Sequence, residues 1–241
     1  MRKLRFGLWY DFRNPPQWRQ DPTRLYESII AQAARAEVLG WDDVWLSEHH
    51  FIEDGYTPSM LPLAAAIAAR TQKIRIGTSV LLLPLHDPLR VAEDSATIDI
   101  VSGGRFDLGI GAGYRVGEFR GFAIPRRERD ERMGEAVEVL RRCFAGERFS
   151  FEGKYYRYRD VQLFPPPLQK PMPPRVFLHA SRGFADDPPG LYPQETVDTY
   201  AARWPDLDVR PVPDVNHYTI VLSRRGADAV AQAVRDVTSA S

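Results

Sequence analysis

Short apolar segments alternate along this chain with segments of helical periodicity. Each apolar segment is rich in β-branched or large side chains and ends in a polar or glycine-rich cluster, which is typical of a strand followed by a loop. Four strand–helix units in a row favour an α/β fold with a parallel sheet. The pattern predicts strands at 4–10, 42–46, 73–83 and 105–110, and helices from Asp21 to Gly40, at 59–70, at 88–101 and from Met133 to Gly146.

The ends of two predicted helices carry specific signals. Asp21 is a candidate N-cap with Pro22 at the first helical position, and Pro88 opens a later helix in the same way. Gly40 lies where a C-terminal cap is expected. These residues locate the helix ends more closely than periodicity alone does.

Two segments interrupt the alternation. At 147–161, aromatic and β-favouring residues flank Glu152-Gly153, which predicts a hairpin. The segment 165–174 contains six prolines, which exclude regular secondary structure there. We therefore predict two domains, 1–174 and 175–241.

Composition narrows the class of protein. The chain has 241 residues, of which 44% are hydrophobic, and this suits one large or two small globular domains. Lys plus Arg and Asp plus Glu both number 32, so no overall positive charge attracts nucleic acid or an anionic membrane. A single cysteine, Cys143, excludes an internal disulfide, and neither a signal peptide nor a membrane span is recognisable. We expect a cytoplasmic protein without nucleic-acid or membrane partners.

Three motifs occur in a fixed order: WLSEHHF at 45–51, KIRIGTSVLLLPLHDPLRVAED at 73–94 and SGGRFDLGIGAGY at 102–114. They resemble the bacterial luciferase-like family of flavin- or deazaflavin-dependent oxidoreductases, over roughly residues 4–175. The resemblance implies a TIM-barrel-type arrangement with its chemistry at the carboxyl ends of the strands. It also implies reduced FMN, or alternatively the deazaflavin F420, as cofactor and a small organic molecule as substrate.

The motif Glu48-His49-His50 directly follows the second predicted strand. A histidine at this position could exchange protons near neutral pH, or it could cap the strand through hydrogen bonds. The resemblance implies that His49 is the catalytic histidine. We expect His50 and Trp9 to contact the substrate.

Small residues mark the expected cofactor site. They end the third predicted strand, where small side chains let a flat ring approach the backbone. The resemblance implies that the ring lies against Thr78, Ser79 and Val80, with a cis peptide bond between the last two. It further implies contacts with Gly111 and Ala112 after the fourth strand.

Other polar residues receive structural roles. We predict that His86 is a solvated turn residue, because it precedes Asp-Pro in a loop. Arg105 and Glu93 match family positions, and we predict an ion pair between them. No metal-ligand spacing occurs in the sequence, so no metal is expected.

After Arg175 the sequence resembles the last two strand–helix units of an α/β-hydrolase. That resemblance implies an acid at Asp186 or Asp187 and a histidine at His217, but no G-x-S-x-G nucleophile motif occurs. A hydrolase-derived fragment and a non-catalytic barrel remnant therefore stand as alternatives to the oxidoreductase.

The number of strand–helix units bears on closure of the barrel. Four precede the proline-rich segment and about two follow it, with strands predicted at 175–179 and 208–212 and helices at 193–203 and 225–237. A closed barrel of this class needs eight. We therefore expect a barrel that is incomplete in its C-terminal third, with open edges that favour a homo-oligomer, most simply a dimer. The late strands that usually bind cofactor phosphate are replaced, so the expected cofactor affinity is low or nil.

Overall fold

The structure is a computed structural model that describes residues 5–169, 175–182 and 207–216 together with positions 195, 197, 198, 202, 229 and 232. The chain divides into two compact units, Met1–Pro171 and Met172–Ser241. Within the described residues, no helix combines the length and the apolar character that crossing a bilayer requires.

Strands and helices alternate through the first unit, as the hydrophobic pattern predicts. The strands are β1 (Gly7–Tyr10), β2 (Asp43–Leu46), β3 (Arg75–Thr78), β4 (Leu81–Leu82), β5 (Phe106–Asp107), β6 (Ile110–Gly111), β7 (Phe149–Glu152) and β8 (Arg157–Val161). The helices are α1 (Pro22–Val38), α2 (Met60–Arg70), α3 (Pro88–Ser102), α4 (Val116–Gly121) and α5 (Arg129–Phe144). Short 3-10 helices lie at Pro16–Trp18, Leu83–Leu85 and Arg126–Glu128.

Four parallel strands form the central sheet, in the order β1-β2-β3-β5. The register places Tyr10, Leu46 and Thr78 side by side at the carboxyl ends of the first three strands. β4 and β6 form a second parallel pair. Because neighbouring strands end at one level, the loops that follow them converge on one edge of the sheet. Among the described strands, β1 and β5 are the outer strands of this sheet and no closed barrel forms.

One core underlies this sheet. α2 packs against both α1 and α3, and α3 also packs against α5. Helix and strand residues contribute jointly to the core, and those with no exposed surface include Ala33, Val44, Ile67, Ile76 and Val139. The apolar stripes read from the sequence therefore face the sheet, as an α/β fold requires.

The predicted helix ends are confirmed. The Asp21 carboxylate accepts a hydrogen bond from the Arg24 backbone N–H at 3.0 Å, and Asp87 caps α3 by accepting from the N–H groups of Leu89 and Arg90. Gly40 has a φ of +85°, which favours glycine. Local capping chemistry thus determines where these helices begin and end.

The third and fourth predicted strands are each interrupted, so the continuous strands expected at 73–83 and 105–110 are wrong. The Thr78 hydroxyl donates to the Gly109 carbonyl at 2.7 Å and accepts from the Gly109 N–H at 2.8 Å. Both strands are therefore interrupted at the same height in the sheet, where bonds from the Thr78 hydroxyl take the place of backbone hydrogen bonds between the strands. A Cβ atom on Gly109 would lie 2.0 Å from the Thr78 carbonyl oxygen, so only glycine fits.

The predicted ion pair between Arg105 and Glu93 is also wrong. The Arg105 guanidinium instead donates to the carbonyls of Ala68, Thr71, Ile74 and Ser102 and to the Thr71 hydroxyl. It therefore satisfies backbone acceptors where α2 and α3 end. Glu93 pairs with Arg90 on the exposed face of α3.

Helix α4 was not predicted from the sequence, because six residues are too few to establish a helical period. α5 begins at Arg129, four residues before the predicted stripe starts at Met133. The hairpin prediction is confirmed, since β7 and β8 pair in antiparallel fashion. The Gly153 N–H closes the turn on the Tyr156 carbonyl at 2.9 Å.

In the second unit, β9 (Arg175–Arg182) and β10 (Leu207–Asn216) form a parallel pair. These strands extend beyond the predicted ranges 175–179 and 208–212. The predicted residues Asp186, Asp187 and His217 lie outside the described residues, as do most positions of the predicted helices at 193–203 and 225–237.

Candidate active site

The loop after β2 carries the histidine motif and is held against the end of β1. The His49 N–H donates to the Thr57 carbonyl at 3.1 Å. Thr57 is fully buried, and its hydroxyl donates to the Asp11 carbonyl at 2.7 Å. These bonds fix the Glu48-His49-His50 backbone at the carboxyl edge of the sheet, where functional residues of parallel α/β proteins usually lie.

His49 is paired with a buried carboxylate from α4. Its Nδ1 lies 2.7 Å from Glu118 Oε1, and the backbone N–H of His50 donates to the same oxygen at 3.0 Å. The Glu118 side chain is 1% exposed, whereas the His49 ring is 18% exposed. An imidazole of this kind, oriented by a carboxylate and still accessible, has the arrangement of a proton-transfer group.

Aromatic rings surround His49. The centroid of the Tyr56 ring lies 4.7 Å from that of His49, and the centroid of Tyr114 lies at 5.8 Å. Trp9 is 53% exposed and makes an edge contact with Tyr56. Burial raises the pKa of Tyr56, so its hydroxyl stays protonated at neutral pH and bonds to Ser47. The predicted residues His49 and Trp9 are therefore connected through Tyr56.

A second network joins Glu48, His50 and His86. Both imidazole Nε2 atoms bond to Glu48 Oε1, His50 at 2.7 Å and His86 at 2.8 Å, while Glu48 Oε2 accepts from the Leu82 N–H at 2.7 Å. The prediction that His86 is a solvated turn residue is wrong, because a partner 38 positions away holds its ring. His50 is 6% exposed, which favours a structural role over contact with a substrate.

Glu48, His50 and His86 are also of the residue types that bind metal ions. Their ligand atoms lie within 4.8 Å of one another, and two histidines with one carboxylate are a common donor set. In this structure hydrogen bonds already join all three groups. The network therefore has a complete structural explanation without a metal.

Three of the predicted cofactor-binding residues, Thr78, Ser79 and Val80, lie at the carboxyl end of β3, and we call this segment the ledge. Ser79 and Val80 are exposed, and the peptide bond between them is cis, as predicted. Thr78 is buried and holds the ledge to Gly109. Gly111 lies beside it, because a Cβ atom there would meet the Val80 side chain at 2.5 Å.

Ala112 is 4% exposed and lies mostly inside the protein. Gly111 is therefore the more accessible of the two residues predicted after the fourth strand. Glu118 and Tyr56, which contact His49 directly, were not predicted. The only sequence signal for Glu118 is an acidic residue shortly after the glycine-rich segment.

Fold and site together define an α/β protein whose candidate active site lies at the carboxyl ends of parallel strands. The sequence profile of the luciferase-like monooxygenases matches residues 4–185. The chain belongs to this family.

Individual relatives agree with this assignment. The crystal structure of the monooxygenase RslO1 from Streptomyces bottropensis superposes with a TM-score of 0.71 and 31% identity, covering 95% of this chain and 67% of that one. An F420-dependent glucose-6-phosphate dehydrogenase from Kineococcus radiotolerans is 38% identical over 149 residues, which are 58% of this chain and 43% of that protein.

A more distant neighbour shows the fold alone. It is the oxygenating constituent of 3,6-diketocamphane monooxygenase from Pseudomonas putida, in complex with FMN, with a TM-score of 0.64 and 22% identity over 73% of this chain and 52% of that one. The chain spans about half the length of the curated relatives it matches. The comparisons do not support the hydrolase resemblance, since the family match continues past residue 175 and RslO1 covers nearly the whole chain.

Proposed function

We propose that this chain is a luciferase-like oxidoreductase that binds reduced FMN, or alternatively F420, on the ledge at 78–80 and acts on a small organic molecule. The observation that carries the proposal is the pairing of His49 with Glu118 at the strand edge that also carries this ledge. The names of the relatives support it, since they include monooxygenases and an F420-dependent dehydrogenase.

The residues present fit the ring of such a cofactor. Ser79 and Val80 are both exposed, and Val80 offers a short apolar side chain on which a flat ring can lie. Gly111 beside them adds no side chain that would obstruct the ring. When bound, the cofactor supplies the redox chemistry by accepting or giving two electrons.

His49 would hold and move the protons that accompany those electrons. Its ring is partly accessible, and Glu118 fixes it on the Nδ1 side. Tyr56 and Tyr114 pack against the ring and restrict the approach of water. Trp9, on the exposed side of Tyr56, is the residue that we propose for contact with the substrate. Because His50 is buried, we propose that it positions the loop after β2 and does not contact the substrate.

A cofactor titration tests the proposal. The purified full chain is titrated with FMN, F420 and riboflavin under anaerobic reducing conditions, and binding is followed by near-ultraviolet absorbance, where the reduced forms still absorb. We expect weak binding of the reduced cofactor, and riboflavin about as tight as FMN, because only ring contacts are expected from the described residues. No spectral change with any of the three would refute cofactor binding by this chain.

Substitution of the histidines tests the role of His49. We expect His49→Ala to lower the protein-dependent reoxidation of reduced FMN by oxygen about 100- to 10,000-fold, the usual worth of general acid–base catalysis. His50→Ala is the control, and it should lower the rate per folded molecule far less. Equal and small effects would contradict a proton-transfer role for His49.

We also propose a cytoplasmic location and a homo-oligomer. The buried free thiol of Cys143 supports a reducing compartment. The outer strands β1 and β5 support association, because an open strand edge can pair with another chain. A dimer is the simplest form.

A further inference from the structure

We propose that Glu118 is a positioning residue that holds the proton of His49 on Nδ1 and leaves Nε2 as the atom that exchanges protons. The proposal rests on the proposed function, but it concerns the state of the side chain itself. No sequence motif or relative named above assigns this role to Glu118.

Two donors converge on one carboxylate oxygen. Glu118 Oε1 accepts from the backbone N–H of His50 at 3.0 Å, and a backbone N–H can only donate. The same oxygen lies 2.7 Å from His49 Nδ1. An ionised carboxylate only accepts hydrogen bonds, so beside an ionised Glu118 the proton lies on Nδ1. In the neutral ring, Nε2 then presents a lone pair.

The second carboxylate oxygen supports a role beyond packing. Glu118 Oε2 is buried and has no hydrogen-bond partner in the part of the chain that the structure describes. An unpaired buried oxygen destabilises the folded protein, so a carboxylate is a costly choice for a purely structural bond. Such groups need an explanation, and a catalytic role is one.

The tautomer can be measured without any cofactor. Long-range ¹H–¹⁵N spectra of the full chain at pH 8 report which imidazole nitrogen is protonated, and the chain has only five histidines to assign. His49→Asn identifies the His49 signals. We expect a neutral His49 ring with its proton on Nδ1. A neutral ring protonated only on Nε2 would overturn the proposal.

Two variants separate the charge of Glu118 from its hydrogen-bond acceptor. Glu118→Leu removes both, and we expect the His49 proton to move to Nε2 and the reoxidation rate to fall about 100-fold or more. Glu118→Gln keeps an acceptor oxygen, so Nδ1 should stay protonated while the rate falls less. In both, affinity for reduced FMN should change little, which a general loss of structure would not allow.

Glu128→Gln serves as the control, because Glu128 bonds to Arg132 rather than to His49. It should change neither the tautomer nor the rate. If the leucine variant does not fold, the wild-type tautomer and the glutamine variant still decide the question. A leucine variant that keeps Nδ1 protonated, or keeps its full rate in a chain that binds reduced FMN, would refute the role. Absence of cofactor binding would refute the proposed function and leave the tautomer result standing.

Discussion

Acid should destabilise this protein through Glu48. Burial raises the pKa of this carboxyl, but hydrogen bonds from His50 and His86, together with the charge of His86 and the Leu82 N–H, outweigh it and lower the pKa from 4.5 to about 2. Since the folded-state pKa is the lower one, the contribution to stability is present above about pH 4.5 and is lost as the pH falls toward 2. The difference corresponds to roughly 3 kcal/mol.

Chemical denaturation followed by circular dichroism between pH 7 and pH 2.5 measures this contribution. Other carboxylates also titrate in this range, so Glu48→Gln is the necessary comparison. At pH 7 we expect the substitution to lower the free energy of unfolding by about 2–4 kcal/mol, because a charged hydrogen-bond network is broken. Most of this difference should disappear toward pH 2.5.

The exposed Glu93 provides a matched control for Glu48. It pairs with Arg90 at the surface of α3, and Glu93→Gln should change stability by less than about 1 kcal/mol at any pH. Parallel curves for the wild type and Glu48→Gln across this pH range would show that the network does not hold the carboxylate ionised. The reasoning from the pKa of Glu48 would then be wrong.

Two further predictions concern the frame around the site. Arg105→Lys should lower the free energy of unfolding by about 2 kcal/mol, because a lysine has too few donors for the carbonyls that Arg105 satisfies. Urea denaturation measures this change. An effect no larger than that of Arg90→Lys would contradict the prediction. Light scattering at micromolar concentration should show a dimer or a larger species, because β1 and β5 are the outer strands of the central sheet in the described part of the chain. A monomer at that concentration would refute association through these edges.

Local signals in the sequence predict much of the fold. The caps at Asp21 and Asp87 depend on a side chain and backbone groups two or three residues away, so the sequence contains both partners within one turn. The breaks after Thr78 and before Ile110 could not be located in this way. They depend on a hydrogen bond between a hydroxyl and a backbone group 31 positions apart, which strand propensity does not encode.

The candidate site also depends on contacts between residues that are far apart in the sequence. The resemblance directs attention to His49, and the alignment of strand ends makes the carboxyl edge predictable. The partner of that histidine lies 69 positions away on a helix of six residues. Parallel strands bring the segments that follow them to one edge of the sheet. Which side chains pair there depends on the path of short segments that have no hydrophobic periodicity, so the sequence does not predict the pairs. His86 and Glu118 were therefore misjudged or missed for one reason: each bonds to the motif after β2 from a segment that follows a different strand. Acidic residues and histidines in the loops after neighbouring strands should accordingly be considered as possible partners before any of them is assigned to solvent.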